Sequence, residues 1–317
     1  LINEQMVLLP ALTVLILAPE YFLPIRDFGT DYHATLDGKN ALKAITHIID
    51  LPEQQRNESI EIAQWNEDST LNVQNLSLQY NESNEYSLKD ISFSWKGFGK
   101  IGIIGASGAG KSTLINVLGG FAHPTSASIQ INNETIKSFN TKEWQEQVLY
   151  IPQHPYIFND TLANNVSFYT PNATKEEIQQ ACHHAGLSKV IESLPNGLDE
   201  RIGESGRVLS GGQEQRIAFA RAFLDQSRKI LLFDEPTAHL DIETEWELKQ
   251  NILPLLDGRL VFFATHRLHW MLEMDYIIVM DQGKIVETGT HEQLLKANGT
   301  YTQLIQAQMH GTEEQYG

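Results

Sequence analysis

The run GASGAGKS, Gly105 to Ser112, fits the pattern G-x-x-x-x-G-K-[ST], and its reading decides the fold. Its glycines let successive backbone N–H groups turn inward around an anion, as a loop that wraps the β- and γ-phosphates of a nucleotide requires. Gly105, Ala106, Ser107, Gly108, Ala109 and Gly110 then form the cradle, Lys111 reaches the phosphates, Ser112 holds Mg²⁺, and Thr113 closes the set. The apolar run Lys100-Ile-Gly-Ile-Ile before it predicts a strand, and Thr113-Leu-Ile-Asn-Val-Leu after it a helix that ends at Gly119-Gly120. The N-terminus of that helix adds a dipole that favours anions.

A second specific run, LSGGQ, lies at Leu209 to Gln213. Ser210, Gly211 and Gly212, with Gln213, open the helix GGQEQRIAFARAFL, so a hydroxyl and backbone N–H groups face an anion. One γ-phosphate already belongs to this chain's own loop. A second phosphate site on the same domain therefore implies a nucleotide held by another domain.

Outside these two runs, chemistry gathers at predicted strand ends. Ile230-Leu-Leu-Phe runs into Asp234-Glu235-Pro236, which sets two carboxylates at the C-terminal edge of a buried strand. Asp234 is then placed to orient Mg²⁺, and Glu235 to accept a proton from the water that attacks the γ-phosphate. Gln153 follows the strand Val148-Leu-Tyr-Ile-Pro, from which an amide reaches both Mg²⁺ and that water. His266 follows Leu260-Val-Phe-Phe-Ala-Thr, from which an imidazole contacts the γ-phosphate. Tyr80 closes a strand 25 residues before Gly105, where its ring either stacks on adenine or packs into the core.

The rest of the 317 residues fits around these motifs. Leu71 to Tyr80 and Leu88 to Trp95 alternate as strands. Ser128–Ile131 and Glu134–Ile136 form a hairpin across Asn132-Asn133, and Tyr276–Met280 and Lys284–Glu287 another across Asp281-Gln-Gly283. The net charge of −17 argues against nucleic acid as a partner, because phosphate neutralisation needs basic patches. Cys182 is the sole cysteine, so neither a disulfide framework nor a cysteine metal cluster is possible.

Upstream, Met6 to Ala18 is the most apolar stretch; thirteen residues make roughly 20 Å of helix, half a membrane span or a core helix. From Arg26 to Asp50 the pattern turns polar but stays helical, Pro52 ends it, and Glu53 to Thr70 reads as a linker. The absence of a starting Met and of a basic leader suggests a fragment whose upstream part is missing.

From about Leu71 onward the chain resembles the nucleotide-binding domain of ATP-binding cassette (ABC) transporters, with every catalytic motif in family order. The resemblance implies an α/β P-loop NTPase cassette: a RecA-like core, an antiparallel β-subdomain and an α-helical subdomain. It also implies two cassettes paired head to tail, with two ATP molecules between one phosphate loop and the other LSGGQ. Carried over by motif, Asp241 in AHLD touches the opposite site, and Glu204 in RIGESG matches the exporter loop that senses the membrane domain. Ser205 stands where exporters usually have arginine, and His239 where the family has a small residue.

LAPEYFLPIRDFGTDYHA, Leu17 to Ala34, is similar to the end of the sixth transmembrane helix of exporters whose membrane and ATPase domains are fused. More narrowly it is similar to the D subunit of heterodimeric bacterial cysteine/glutathione exporters needed for cytochrome bd assembly. The resemblance thus implies residues 1–50 as the end of a membrane domain, 51–70 as linker, 71–308 as the ATP-binding domain and 309–317 as tail. It further implies ATP and Mg²⁺ as cofactors, a second, C-type cassette as partner, and a multi-pass place in the inner membrane with the ATPase on the cytoplasmic side. The exported substrate would be cysteine or glutathione, with haem, lipid, peptide or drug as alternatives. A soluble cassette acting on DNA or ribosomes would lack the apolar run and show basic patches. A cassette that binds ATP without hydrolysing it would have lost Glu235 or His266.

Overall fold

Ile230–Asp234 and Leu260–Ala264 are buried at every position, the pattern of strands covered on both faces of a parallel sheet. The computed structural model describes residues 8–50, 62–80, 85–204, 206–238 and 240–316, so Met6, Val7, Ser205, His239 and the linker as far as residue 61 lie outside the described residues. Two units separate, Leu1–Gln55 and Arg56–Gly317.

Among the described residues the first unit holds one helix, Leu8–Ile49, that takes in Pro19 and Pro24 without a break. At 1.5 Å per residue it runs about 60 Å. The apolar and polar stretches thus form one rod. It is the one helix among the described residues long and apolar enough to cross a membrane.

Among the described residues the second unit contains twelve strands. In chain order they are β1 (Thr70–Gln79), β2 (Tyr86–Lys96), β3 (Gly99–Ile104), β4 (Ser126–Ile131), β5 (Glu134–Ile136), β6 (Val148–Ile151), β7 (Asp160–Thr161), β8 (Arg201–Ile202), β9 (Ile230–Asp234), β10 (Leu260–Ala264), β11 (Tyr276–Asp281) and β12 (Lys284–Gly289). Six form the main sheet in the order β12-β11-β3-β10-β9-β6, parallel except for β12. An antiparallel sheet β2-β1-β4-β5 and the pair β7-β8 complete the set.

Strand periodicity divides the core in two. Leu231, Phe233, Val261 and Phe263 join the apolar cluster built with Cys182, Ile217 and Phe219 from the helices. Ile230, Leu232, Leu260 and Phe262 join the opposite one, with Leu114 and Ile115 behind the phosphate loop and Leu71, Ile91 and Ile129 of the antiparallel sheet. Each fully buried side chain of this size contributes roughly 1.5–3 kcal/mol, so the main sheet is the most heavily anchored element. The two-residue turn Gln282-Gly283 between β11 and β12 has both φ values positive (45° and 76°), as a tight hairpin of right-handed twist demands.

The linker reading needs one correction. Trp65 is buried, packs edge-on against Trp144 with ring centroids 6.2 Å apart, and donates from Nε1 to the Gly97 carbonyl at 3.0 Å. The end of that polar stretch is thus part of the folded unit. A lone aromatic among Gln, Asn, Glu and Asp carries no periodicity by which to be found.

One buried ionic group tests the packing. Glu245, 2% exposed, pairs with Arg267 and accepts from Trp270 Nε1 at 2.8 Å. Burial alone would raise its pKa, but hydrogen bonds from His269 and Trp270 and the charge of Arg267 outweigh it and hold the carboxyl at about 2. A depressed carboxylate stabilises the fold above the ordinary value of 4.5, and that contribution drains away as pH falls toward 2. Glu245→Gln should therefore cost about 3 kcal/mol at pH 7 in urea unfolding. The gap from the parent protein should narrow steadily below pH 4.5. A gap constant with pH would contradict the assignment.

Candidate functional site

Register brings the chemistry together. Ala264 of β10 lies opposite both Asp234 of β9 and Ile103 of β3, so the chain leaves three neighbouring strands at one level. From β3 emerges the phosphate loop, from β9 Glu235, and from β10 Thr265 and His266. The pocket at this edge has a volume of about 1100 Å³. Ser107, Gly108, Gly110, Lys111, Ser112, Thr113, Gln153, Glu235 and His266 line it.

The loop has the geometry of an anion cradle. Gly110 caps the helix Lys111–Leu118 at φ +102°, a conformation that side chains rarely adopt, and it has no side chain to occupy the first-turn N–H groups. Gly105 is pressed against β11 so closely that a Cβ would sit 2.2 Å from the Met280 carbonyl oxygen. Ala106 and Ala109 close the loop on itself, the Ala109 N–H donating to the Ala106 carbonyl at 3.1 Å. Lys111 donates to the Gly105 and Ala106 carbonyls at 2.9 and 3.2 Å and lies 3.7 Å from Glu235. The cation is held at the loop by oxygen atoms it can exchange for a phosphate.

Ser112 Oγ donates to Asp234 at 2.7 Å, so a hydroxyl and a carboxylate converge with Gln153 near by. Hard oxygen donors of this kind suit Mg²⁺. Burial, and beyond it the charge of Glu235, push the Asp234 carboxyl above the ordinary aspartate range, against the hydrogen bond from Ser112 and the charge of Lys111. A divalent cation would reverse that shift, since it favours the ionised form.

Glu235 is the strained residue of the site. Its φ of 46° lies in the left-handed region, costly for a non-glycine residue, while its N–H donates to the Ala264 carbonyl at 2.9 Å. The carboxylate meets His266 Nδ1 at 2.7 Å and the His266 N–H at 3.3 Å. Burial works to raise its pKa, but the hydrogen bonds and charge of His266, with Lys111, hold it below the ordinary glutamate range. It is ionised at neutral pH and able to accept a proton.

Ser210, Gly211, Gly212, Gln213 and Asp241 gather elsewhere, around a hollow of about 450 Å³ shared with Arg216 and Thr244. Ser210 and Gln213 form a reciprocal capping box, and Asp241 caps the helix Ile242–Leu256 through the Thr244 N–H at 2.8 Å. Tyr80, about half exposed, joins neither pocket; it lines a separate hollow with Asn116, Phe121 and His123.

Several lining residues escaped sequence reasoning. Tyr86 and Lys89 from β2 and the turn Gln282-Gly283 reach the main pocket through pairing between distant segments, which no local pattern encodes. Gln215 is fully buried and donates to the Gln153 carbonyl at 2.5 Å, joining that loop to the LSGGQ helix. Gln308 brackets the loop after β10, donating to the His266 carbonyl at 3.0 Å and accepting from the Leu268 N–H at 3.1 Å.

A phosphate loop, a paired acid and imidazole, and a separate LSGGQ hollow on a parallel core flanked by an antiparallel sheet define the ATP-binding domain of an ABC transporter. The chain contains that domain: residues 88–238 match the ABC transporter family. Over 309 residues it is 53% identical to the glutathione/L-cysteine transport system ATP-binding/permease protein CydC of Bacillus subtilis, across 98% of this chain and 53% of that protein. An ATP-dependent lipid A-core flippase of Pseudomonas fluorescens is 36% identical over 282 residues, 89% of this chain and 46% of the flippase. The chain spans about half the length of the curated relatives it matches. Among solved structures, a bacterial Atm1-family ABC exporter with ATP bound superposes with a TM-score of 0.73 at 29% identity, over 92% of this chain and 50% of that one.

Glu235→Gln should retain nucleotide binding and lose roughly 10²- to 10⁴-fold in turnover, the range for a general base. Lys111→Ala should weaken binding itself. Fluorescent-nucleotide titration beside phosphate release separates the two, and full turnover by Glu235→Gln would remove that residue from its role.

Proposed function

We propose that the chain is the ATP-hydrolysing half of a fused-type exporter that moves a small thiol, cysteine or glutathione, across the bacterial inner membrane. One observation carries the hydrolytic part: Glu235 and His266 share a pocket with Lys111 and with Ser112, whose hydroxyl donates to Asp234. The attacking water gives its proton to Glu235, His266 steadies the γ-phosphate, and Lys111 takes up negative charge as the β–γ bond breaks. Ser112, Asp234 and Gln153 would hold Mg²⁺, whose charge would offset that of the nucleotide phosphates.

The LSGGQ hollow lies apart from this pocket, which supports a crossed arrangement with a second cassette. Ser210, Gly211, Gly212, Gln213 and Asp241 then serve the partner's nucleotide. ATP draws the pair together and hydrolysis parts it. Residues 1–50 are the end of the membrane domain of a multi-pass exporter, and the cytoplasmic ATPase runs from the segment that carries Trp65 to 308.

The thiol substrate rests on the 53% identity with CydC, which extends through the long helix. That relative carries the C name, whereas the residues before the cassette resemble a D subunit; the proposal keeps a second, C-type cassette as the partner in a heterodimer. Export of this kind fits the supply of thiols for cytochrome bd assembly. The 36% identity with lipid flippases keeps a lipid as the second reading.

Full-length transporter with its partner, reconstituted in proteoliposomes, should accumulate radiolabelled cysteine or glutathione only with ATP, and Glu235→Gln should abolish the uptake. ATP-driven lipid translocation without thiol uptake would favour the second reading.

A further inference from the structure

Arg267 follows His266 directly, and its own N–H donates to Thr265 Oγ1 at 3.0 Å, fixing it to the strand end that carries the histidine. Its guanidinium reaches in the other direction. Nη1 pairs with the Glu245 carboxylate, while Nη2 donates to the Leu240 carbonyl at 3.0 Å. Leu240 is the residue before Asp241, and the Glu245 N–H donates to the Asp241 carbonyl at 2.9 Å. One planar fork therefore grips both flanks of Asp241.

The far end of the grip is rigid. Glu245 cannot drift, because Trp270 Nε1 at 2.8 Å and His269 Nε2 at 3.4 Å hold its other oxygen. Lys249, also buried, reinforces the same wall through the His269 carbonyl at 2.9 Å and Glu273 at 3.0 Å. On the near side, His266 Nδ1 lies 2.7 Å from the Glu235 carboxylate. A continuous chain of contacts thus runs from the hydrolytic acid through His266 and Arg267 to Asp241.

We infer that Arg267 is a positioning residue that couples the two nucleotide sites: a shift of His266 at this chain's own pocket moves Leu240 and so resets the acid this chain offers to the partner's site. The inference rests on the crossed arrangement proposed above. A buried pair that only stabilised the fold would need the Glu245 contact alone; the second prong on Leu240 adds nothing to neutralising that acid.

The test uses full-length transporter in which only one cassette carries the change, with vanadate and a photoreactive ATP analogue to report which polypeptide traps nucleotide. Arg267→Lys keeps a cation for Glu245 but lacks the two-pronged reach to Leu240. Trapping on the partner's phosphate loop should fall about tenfold, the scale of one hydrogen bond to a charged group. Trapping on the variant's own loop should fall less than threefold, and nucleotide affinity there should change less than twofold. Equal losses at both loops, loss at the variant's own loop alone, or no loss would overturn the coupling role. Arg267→Met, which strips Glu245 of its cation, separates stability from coupling: its melting temperature should drop while that of Arg267→Lys stays near the parent. A matching drop in Arg267→Lys would reduce Arg267 to a structural residue. Gly212→Asp in the same cassette should abolish trapping on the partner's loop. If it does not, the crossed arrangement itself has failed, and the coupling falls with it.

Discussion

Three parallel strands, β3, β10 and β9, hydrogen-bond in a register that brings Ile103, Ala264 and Asp234 to the same height. Everything catalytic in the domain hangs from that alignment. A one-residue slip of β9 would turn Asp234 toward the opposite face of the sheet and break its hydrogen bond with Ser112. Such a slip is prevented because Ile230, Leu232, Leu231 and Phe233 are claimed alternately by two apolar clusters, so that it would exchange the partners of every side chain on the strand. The hydrophobic core therefore does more than hold the domain together: it sets the position of two carboxylates to within bonding distance.

Charge in the pocket is arranged around this frame. Asp234 and Glu235 are adjacent in sequence, yet burial raises the pKa of one, and the neighbouring histidine and lysine lower that of the other. Their partners explain the difference. Both feel the charge of Lys111, but Asp234 is otherwise met by a neutral hydroxyl and a like charge, whereas Glu235 also meets an imidazole and a backbone N–H. Two acids of one dipeptide thereby sit in different electrostatic surroundings, as the proposed division between a divalent cation and a proton requires.

Much of this was legible in the chain itself, and the reasons are physical. Fully apolar runs such as Ile230–Phe233 and Leu260–Ala264 belong to covered parallel strands, and the helix Gly211–Leu224 begins where Ser210 and Gln213 announce a capping box. Phosphate loops are readable because a bare backbone needs glycine at particular places. What stayed hidden depends on long-range pairing. Tyr86, Gln282 and Gly283 meet the phosphate loop only once β2 and β11 are in register, and Glu245 finds Arg267 across 22 residues. Composition along the long N-terminal helix changes from apolar to polar, while backbone hydrogen bonding takes no notice of the change.

Trp65 has a practical meaning for anyone who would separate the ATP-binding unit from the long N-terminal helix. The tempting place to cut is the first residue of β1, where strand alternation begins. That cut would discard the indole that packs on Trp144 and caps the Gly97 carbonyl, and the Trp65 N–H that occupies Gln147 Oε1 at 2.6 Å. A polar carbonyl and an aromatic face would be left bare beside the antiparallel sheet, an invitation to aggregate. The autonomous unit of folding begins before the domain its motifs delimit, and a soluble version must keep several of the polar residues that precede β1.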